Sequence, residues 1–253
     1  ERLVVPWLRA VGVGRLDALV VTHRDWDHSG GARSVLETLP VDLLLDSLPA
    51  DSPEARELQP RARQRRACTD GQAWEWDGVR FAMLHPPQDK LDAPSPKANH
   101  QSCVLRVTTG DRSVLLTADI EAADEAWLLA KRPEDLPSRA LVVPHHGSRT
   151  SSTPAFVAGV GAREIIFPVG YRNRFGHPKA EVVARYAANP EARLWRTDRD
   201  GAVNLELGPA GVHAWSQRQR HRRYWYETAG GESIGGGRTP APVGIGLTGL
   251  NLP

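Results

Sequence analysis

Thr22-His23-Arg24-Asp25-Trp26-Asp27-His28-Ser29-Gly30-Gly31 is the stretch around which this chain is organised. It carries four side chains that commonly ligate metals, namely His23, Asp25, Asp27 and His28, on a turn too short to separate them. Divalent cations need several nitrogen and oxygen donors at about 2.0–2.6 Å. An apolar run precedes the stretch, and its two glycines allow a sharp bend into a helix. The pattern predicts a metal-binding loop after a strand, since a merely solvated loop rarely carries donors at this spacing.

Length and charge bound the possibilities without naming a function. The 253 residues suffice for one large domain or two small ones. The formal net charge of +2 does not by itself indicate nucleic-acid binding, although basic residues cluster at 61–66 and 218–223. No run of about 20 apolar residues predicts a membrane span, and no signal peptide is evident. Because the chain begins with Glu1, we interpret it as a processed or excised piece.

Hydrophobic periodicity predicts strands and helices that alternate at both ends of the chain, with hairpins in the middle. The predicted helices are 2–13, 31–39, 121–131, 153–160 and 179–188, and the predicted strands include 16–21, 41–45, 140–143, 164–168, 192–195 and 202–207. One hairpin turns at Asp77-Gly78, a strong turn signal, and a second turns at Gly110-Asp111. A strand near 63–68 is expected to enter a hairpin, and residues 86–98 are expected to be irregular. The order favours a mixed α/β sandwich.

A domain boundary is predicted after residue 216. Residues 217–253 form a basic and aromatic segment and then, from Thr228, a segment rich in glycine and proline that we predict to be disordered. Residues 218–226 combine arginines with aromatics, which fits nucleic-acid contact with base stacking or simply an exposed tail. Of the two cysteines, Cys68 and Cys103, the residues alone allow either a disulfide or two buried thiols.

Further candidate ligands follow predicted strands. Asp119 comes just after the strand 114–117, where it would serve either as a helix cap or as a metal ligand. His145 and His146 follow the strand 140–143, and because adjacent residues cannot both face the core, one of them is expected to point into a cleft. His177 lies between a glycine and a proline that restrict its direction.

Residues 148–152 are candidates for phosphate contact. Ser148 and Arg149 precede a predicted helix that begins at Thr153-Pro154. Hydroxyl groups and amides at a helix N-terminus suit a phosphate, but a plain capping sequence has the same composition. Both interpretations stay open.

The order of these motifs resembles that of the metallo-β-lactamase superfamily. The motifs are Thr22-His23-x-Asp25-x-Asp27-His28-x-Gly30-Gly31, Asn99-x-x-Ser102, Thr117-Ala118-Asp119, Pro144-His145-His146-Gly147-Ser148, Phe175-Gly176-His177-Pro178 and Thr197-Asp198-Arg199-Asp200-Gly201-Ala202. More closely, residues 1–216 look like the C-terminal domain of ComEC-type DNA-uptake channels of natural competence. The first motif carries the resemblance in combination with the His-His-Gly-Ser and Phe-Gly-His-Pro motifs, since any one of them alone is unspecific.

The resemblance implies a four-layer αβ/βα sandwich with a cleft for two divalent cations. It implies a metal-dependent hydrolase, a nuclease that degrades the non-imported DNA strand during natural transformation. The implied partners are DNA and the membrane channel portion of the same parent protein. The implied location is the inner membrane, with this domain on the periplasmic, extracytoplasmic side. That oxidising compartment favours a Cys68–Cys103 disulfide.

The chain departs from the superfamily pattern in three ways. Two strands ending in Asp-x-Gly usually precede the first motif, but only 22 residues precede His23. We therefore expect the domain to lack its first strands and to leave a sheet edge unpaired. Asp25 replaces a histidine, as is usual in ComEC-like domains, and Ser102 stands about where a metal-binding histidine is expected. An oxygen-rich first position favours manganese, with magnesium and zinc as alternatives.

The resemblance implies roles for individual residues, which we state as a hypothesis. One metal ion is assigned to His23, Asp25 and Asp119, and the other to Asp27, His28, Asp119 and His145. Asp27 is also assigned as the proton acceptor for attacking water. His146 and His177 are assigned as alternatives for a remaining ligand or for the acid that protonates the leaving oxygen. Ser148, Arg149 and Ser102 are assigned to substrate binding.

Two other functions compete with this hypothesis. The first is a hydrolase of the same superfamily that acts on a small thioester or lactone. The second is a DNA-binding module without catalysis that has a weak metal site. An oxygen-rich first position together with the His-His-Gly-Ser motif favours the nuclease over the small-molecule hydrolase.

Overall fold

A three-stranded parallel sheet carries the first motif. The structure is a computed structural model that describes residues 3–92 and 97–220, all within the compact unit Glu1–Arg222. The sheet consists of β1 (Leu16–Val21), β2 (Val41–Asp46) and β3 (Gln64–Ala67), in that spatial order. Its strands are connected through helices, as parallel strands require. Within the described ranges, β1 lies at the edge of this sheet.

A seven-stranded mixed sheet forms the second layer of strands. Its strands are β4 (Ala73–Trp76), β5 (Val79–His85), β6 (Val104–Thr109), β7 (Arg112–Leu116), β8 (Ala140–Val142), β9 (Glu164–Phe167) and β10 (Arg193–Arg196), in the order β10-β9-β8-β7-β6-β5-β4. Pairing is antiparallel from β4 to β7 and parallel from β7 to β10. The hairpin at Asp77-Gly78 is confirmed, and both residues have positive φ as a type I′ turn requires.

Helices cover the outer faces of both sheets. Their bounds are α1 (Val4–Ala10), α2 (Trp26–Ser29), α3 (Ala32–Thr38), α4 (Pro53–Leu58), α5 (Gln88–Asp92), α6 (Ala122–Lys131), α7 (Pro154–Val160), α8 (Ala180–Ala187), α9 (Thr197–Asp200) and α10 (Gln217–Arg220). Helix α7 starts as its sequence predicts, because the Thr153 hydroxyl accepts the Phe156 N–H and Pro154 occupies the first turn. No helix in the described ranges is both long and apolar enough to cross a membrane.

Three apolar clusters define the layers. One packs α3 and α4 on the first sheet, and the largest packs α6, α7 and α8 on the second. A third lies between the sheets and unites Leu45 of β2 with Met83 of β5 and Leu105 of β6. Cys68 and Cys103 belong to this third cluster and form a disulfide, as expected. The helix–sheet–sheet–helix order confirms the predicted four-layer sandwich.

Several local predictions differ from the structure. Strand β3 does not enter a hairpin but pairs in parallel with β2, the strand before it in sequence, because the crossover through α4 returns the chain to the same end of the first sheet. The segment expected to be irregular contains the helix α5. The predicted strand at 202–207 is present as β11 (Val203–Gly208), which pairs with β12 (Gly211–Ser216) in a separate two-stranded sheet, and α10 (Gln217–Arg220) follows it. The predicted disordered tail lies outside the described residues from 221 onward.

Candidate metal centre

The candidate ligands lie beyond the carboxyl ends of strands from both sheets. His23 follows β1, Asp119 follows β7, and His145 and His146 follow β8. Carboxyl ends of parallel strands meet at one edge of a sheet, where ligands commonly bind. Because the third apolar cluster holds the sheets together, their two edges form one cleft.

The first motif folds into an extended residue followed by one helical turn. Asp25 is extended, with φ −63° and ψ 142°, and its carbonyl accepts the N–H groups of His28 and Ser29. His23 is buried, whereas the side chain of Asp27 is largely exposed. The helical turn therefore brings His28 and Asp27 to the same cleft as His23.

Thr22 supports two of these rings at once. Its hydroxyl lies 3.1 Å from Nδ1 of His23 and 3.2 Å from Nδ1 of His28. Its carbonyl accepts hydrogen bonds from the Cys103 N–H and the Ser47 hydroxyl. These contacts hold both rings with Nε2 toward the cleft, and sequence analysis assigned no role to Thr22 because a threonine at a strand end carries no distinctive signal.

The Asp119 carboxylate is the point that the histidines share. Its oxygens lie 3.2 Å from Nε2 of His28, 3.6 Å from that of His146, 3.8 Å from that of His145 and 4.0 Å from that of His23. It is nearly inaccessible to solvent. A buried carboxylate among four imidazole rings is suited to bridging two cations.

Burial and the shared carboxylate separate the protonation states of the two rings in the first motif. Burial and, to a smaller extent, the neighbouring His28 lower the pKa of His23 to about 4. Burial also acts to lower the pKa of His28, but the hydrogen bond to Asp119 and the charge of that carboxylate outweigh it and raise the pKa. For Asp119, burial acts to raise the pKa, but the hydrogen bond from His28 and nearby histidine charges bring it below the usual value.

His146 enters the cluster through an unusual backbone conformation. Both His145 (φ 47°, ψ 45°) and His146 (φ 54°, ψ 19°) are left-handed, which is uncommon for non-glycine residues. Gly147 follows with φ 79°, and an added Cβ there would lie 2.7 Å from Pro178 Cβ, so only glycine fits. The His146 Nδ1–H donates to the Pro168 carbonyl at 2.6 Å. Since a carbonyl only accepts, Nε2 of His146 carries a lone pair toward the cleft.

Four residues bring one donor atom each within 4.8 Å of one another: Asp27, His28, Asp119 and His146. Nε2 of His146 lies 3.4 Å from both Asp27 Oδ2 and His28 Nε2. His145, the predicted ligand of the pair, instead places Nδ1 at 3.1 Å from the Thr150 hydroxyl and 3.6 Å from Glu121. The geometry therefore favours His146 in the group where sequence analysis assigned His145.

The remaining candidate site residues differ in how far they are buried. His177 is partly buried, with its ring centroid 6.1 Å from that of His145 and its Nδ1 without a hydrogen bond among the described residues. Ser148 is buried against Thr150, and Arg149 is exposed and paired with Glu181. Ser102, a candidate for substrate binding, is 0% exposed, and its hydroxyl contacts the Asp119 N–H and His23 Nδ1.

The unpartnered Nε2 atom of His23 supports the binding of divalent cations by these donors. Nε2 of His23 is buried, points into the cleft within 4.0 Å of Asp25 and Asp119, and has no hydrogen-bond partner in the described part of the chain. A buried polar atom without a partner is costly. A neutral imidazole with its other nitrogen on a hydroxyl is a common metal ligand, so a cation would satisfy this atom.

The family is established by comparison with known proteins. A model described as the metallo-beta-lactamase superfamily matches residues 1–162. The chain belongs to the metallo-β-lactamase superfamily, as its motifs and four-layer fold predicted. Members of this superfamily are generally metal-dependent hydrolases, and the four-donor cluster agrees with that class.

Curated relatives are competence proteins and a recombination protein. The chain is 38% identical over 223 residues to Competence protein ComA of Neisseria gonorrhoeae, which covers 88% of this chain and 30% of that protein. It is 32% identical over 186 residues to Recombination protein 2 of Haemophilus influenzae, covering 73% and 21%. It is 30% identical over 209 residues to ComE operon protein 3 of Bacillus subtilis, covering 80% and 26%. The chain thus spans less than a third of each of these relatives, and its predicted similarity to competence proteins is confirmed.

Proposed function

We propose that this chain is the nuclease domain of a ComEC-like DNA-uptake channel, a metal-dependent phosphodiesterase that degrades the non-imported strand. The observation that carries the proposal is the buried Asp119 carboxylate, which lies between two groups of donors supplied by the loop 22–31 and by His146. His23 and Asp25 form one group, and Asp27, His28 and His146 form the other. With Asp119 counted in both, each group supplies at least three donors.

The donor types favour a particular class of metal. The group of His23, Asp25 and Asp119 offers one nitrogen and two carboxylates, and its neighbour Ser102 adds no nitrogen ligand. Carboxylate-rich sites suit manganese and magnesium, whereas zinc prefers more nitrogen or sulfur. Manganese is therefore the proposed cofactor, bound as a pair, with magnesium and zinc as alternatives.

When bound, a pair of such cations polarises a phosphodiester and lowers the pKa of water. The Asp27 carboxylate is largely exposed at the cleft and lies 3.4 Å from His146 Nε2, so it is suited to accept a proton from attacking water. His177 and His145 line the same cleft, and either imidazole is suited to protonate the leaving oxygen. Arg149 is exposed beside this cleft and would attract a neighbouring phosphate.

DNA as the substrate and the extracytoplasmic location rest on other features. Relatives named for competence and recombination support a nucleic acid as the substrate. The Cys68–Cys103 disulfide suits an oxidising compartment such as the periplasm. The chain covers less than a third of the length of these relatives. This supports a partner in the same parent protein, namely its membrane channel portion.

The test is manganese-dependent cleavage of DNA by the Asp27→Asn variant. An amide cannot accept the proton and is a weaker ligand, so we expect loss of cleavage. Asp111→Asn, at an exposed hairpin turn, is the matched control and should cut normally. An unchanged rate in Asp27→Asn would overturn the scheme.

The same assay separates the competing functions. Wild-type protein is assayed with manganese, with zinc and with chelator, on DNA and on small thioesters and lactones. Turnover of DNA that chelator abolishes supports the nuclease. Turnover of esters alone indicates a small-molecule hydrolase, and DNA binding without any turnover indicates a binding module.

A further inference from the structure

Three aromatic side chains remain exposed on the two loops that carry candidate site residues. Trp26 is 83% exposed and stands between Asp25 and Asp27 in the first motif. Tyr171 and Phe175 are 60% and 58% exposed on the loop 170–177 that ends at His177. We call these three residues the aromatic rim. Large apolar side chains that stay exposed beside a site commonly mark an interaction surface.

The indole of Trp26 packs against the backbone of Gly30. A Cβ added at Gly30 would lie 2.7 Å from both Cδ2 and Cε2, the two atoms of the bond that the indole rings share. Gly30 therefore leaves room for the Trp26 ring, and this residue is 83% exposed.

The loop 170–177 is ordered by Asn173. Its side-chain amide donates to the carbonyls of Gly170 and His177, and its side-chain oxygen accepts the His177 N–H at 2.9 Å. The ring of Phe175 stacks on that of His177 at an interplanar angle of 16° and a centroid distance of 5.9 Å. The two exposed rings thus project from a fixed backbone, which lowers the entropy lost when they bind a partner.

Two exposed arginines interleave with these rings. The guanidinium carbon of Arg172 lies 5.1 Å from the Tyr171 ring centroid, and that of Arg174 lies 4.9 Å from the centroid of Phe175. Neither guanidinium has a carboxylate at salt-bridge distance among residues 3–92 and 97–220. Both arginines therefore keep their charge available for an anion.

Alternating aromatic rings and guanidinium groups match unpaired nucleotides. Every base has a face that can stack on an aromatic ring, and the connecting phosphates pair with arginine. A duplex hides its base faces, and a purely apolar protein partner would not need the two charges. Small esters would leave the rim unused.

We propose that the aromatic rim, with Arg172 and Arg174, binds unpaired nucleotides of a DNA single strand that adjoin the phosphate cleaved at the candidate metal centre. This inference rests on the proposed nuclease function and narrows its substrate to single-stranded DNA. A protein partner at the rim is the alternative that the experiment must exclude.

The experiment measures DNA binding without turnover. Full-length chain in excess chelator is titrated into fluorescent oligonucleotides of one length: a single strand, its duplex and an abasic single strand. Anisotropy reports the dissociation constant, and thermal unfolding verifies that each variant is folded. We expect the single strand to bind most tightly, since only it offers both base faces and phosphates.

The variants separate stacking from charge. Tyr171→Ala/Phe175→Ala should weaken binding to the single strand by about 10-fold or more and leave binding to the abasic strand unchanged. Arg172→Ala/Arg174→Ala should weaken binding to both strands and reduce the slope of log affinity against log salt by about 1.4, or about 0.7 per phosphate. Trp26→Ala should weaken binding to the single strand, and Trp26→Phe should retain most of the wild-type affinity.

Trp7→Ala is the matched control, because Trp7 is 53% exposed on α1 outside the rim, and it should bind like wild type. Equal binding of duplex and single strand, or wild-type affinity in the Tyr171→Ala/Phe175→Ala variant, would overturn the proposal and leave a protein partner for the rim. Cleavage with manganese is measured separately. Absence of turnover in the wild type would remove the nuclease function while the binding data still decide the role of the rim.

Discussion

Two loops supply most of the candidate ligands, and they do so by opposite means. The loop 22–31 has four donors in six positions on a backbone whose non-glycine residues all have negative φ. The loop 144–152 has only two histidines, and it directs them by placing both in the left-handed region. A site can therefore be built from many donors on a relaxed backbone or from few donors on a strained one. The strained conformation costs about 1–3 kcal/mol of folding free energy per residue.

The two loops are also supported differently. Loop 22–31 is held from below by the disulfide region, since the Cys103 N–H donates to the Thr22 carbonyl. Loop 144–152 is held by its own turns and by neighbouring loops, through the bonds from His145 N–H to Ala118 and from His146 Nδ1–H to Pro168. Damage to one support should therefore loosen one loop and spare the other.

The largest expected effect comes from the residue that both loops approach. Asp119→Asn removes the shared charge, so we expect loss of metal binding and a fall in manganese-dependent cleavage of roughly 1000-fold or more, since such charge stabilisation amounts to several kcal/mol. Calorimetric titration of manganese and a single-turnover assay measure both. Asp17→Asn, exposed on β1, is the control. If Asp119→Asn still bound two manganese ions, the two loops would not share a carboxylate.

Removal of the disulfide should distinguish the supports. Cys68→Ser/Cys103→Ser opens a loop of 35 residues in sequence separation, which should lower the free energy of unfolding by roughly 4 kcal/mol. Urea unfolding with and without reductant measures this, and reductant should not affect the double variant. Hydrogen exchange should quicken in loop 22–31 more than in loop 144–152. Equal quickening in both loops would contradict the difference in support.

The adjacent histidines should differ in importance. His146→Ala removes a member of the four-donor group, so we expect manganese affinity to fall by about 100-fold, whereas His145→Ala should cost less than about 10-fold. His213→Ala, exposed on β12, is the matched control. Equal losses at 145 and 146 would mean that the strained turn presents both rings to the metals.

An effect smaller than that of His146→Ala is expected beneath the first loop. Ser102→Ala removes the hydroxyl that contacts His23 and the Asp119 N–H, so we expect about a 10-fold loss of manganese affinity. A buried serine elsewhere, Ser113, provides the control as Ser113→Ala. A larger loss of DNA affinity than of manganese affinity would instead support the substrate-binding role assigned to Ser102 from the sequence.

The fold was largely predictable because its signals are local. The apolar run before His23 and the Asp77-Gly78 turn determine their elements within a few residues, and both were predicted correctly. The parallel pairing of β3 with β2 was missed because it depends on the crossover through α4, whereas the strand at 73–76 follows β3 after a much shorter connection. Helix α5 was missed because prolines surround it.

The sequence identified which residues could donate to a metal, but not how their side chains are arranged. The donors at 23–28 are dense enough to be identified alone, and Asp119 followed from the need for a bridging carboxylate. Which of His145 and His146 enters the group depends on backbone angles that residue identity does not reveal. The burial of Ser102 depends on how the two sheets pack, which the sequence around this residue does not reveal.

The Thr22 hydroxyl has a further consequence for how the two donor groups behave. One oxygen lies near Nδ1 of both His23 and His28, and a hydroxyl offers one proton and two lone pairs. If both rings present Nε2 to the cleft, both Nδ1–H groups occupy those lone pairs, and the hydroxyl proton must turn elsewhere. The tautomers of two rings in different donor groups are thereby correlated through a single atom. Valine has nearly the same shape as threonine, so Thr22→Val would keep every donor in the cleft and yet let each ring choose its tautomer independently.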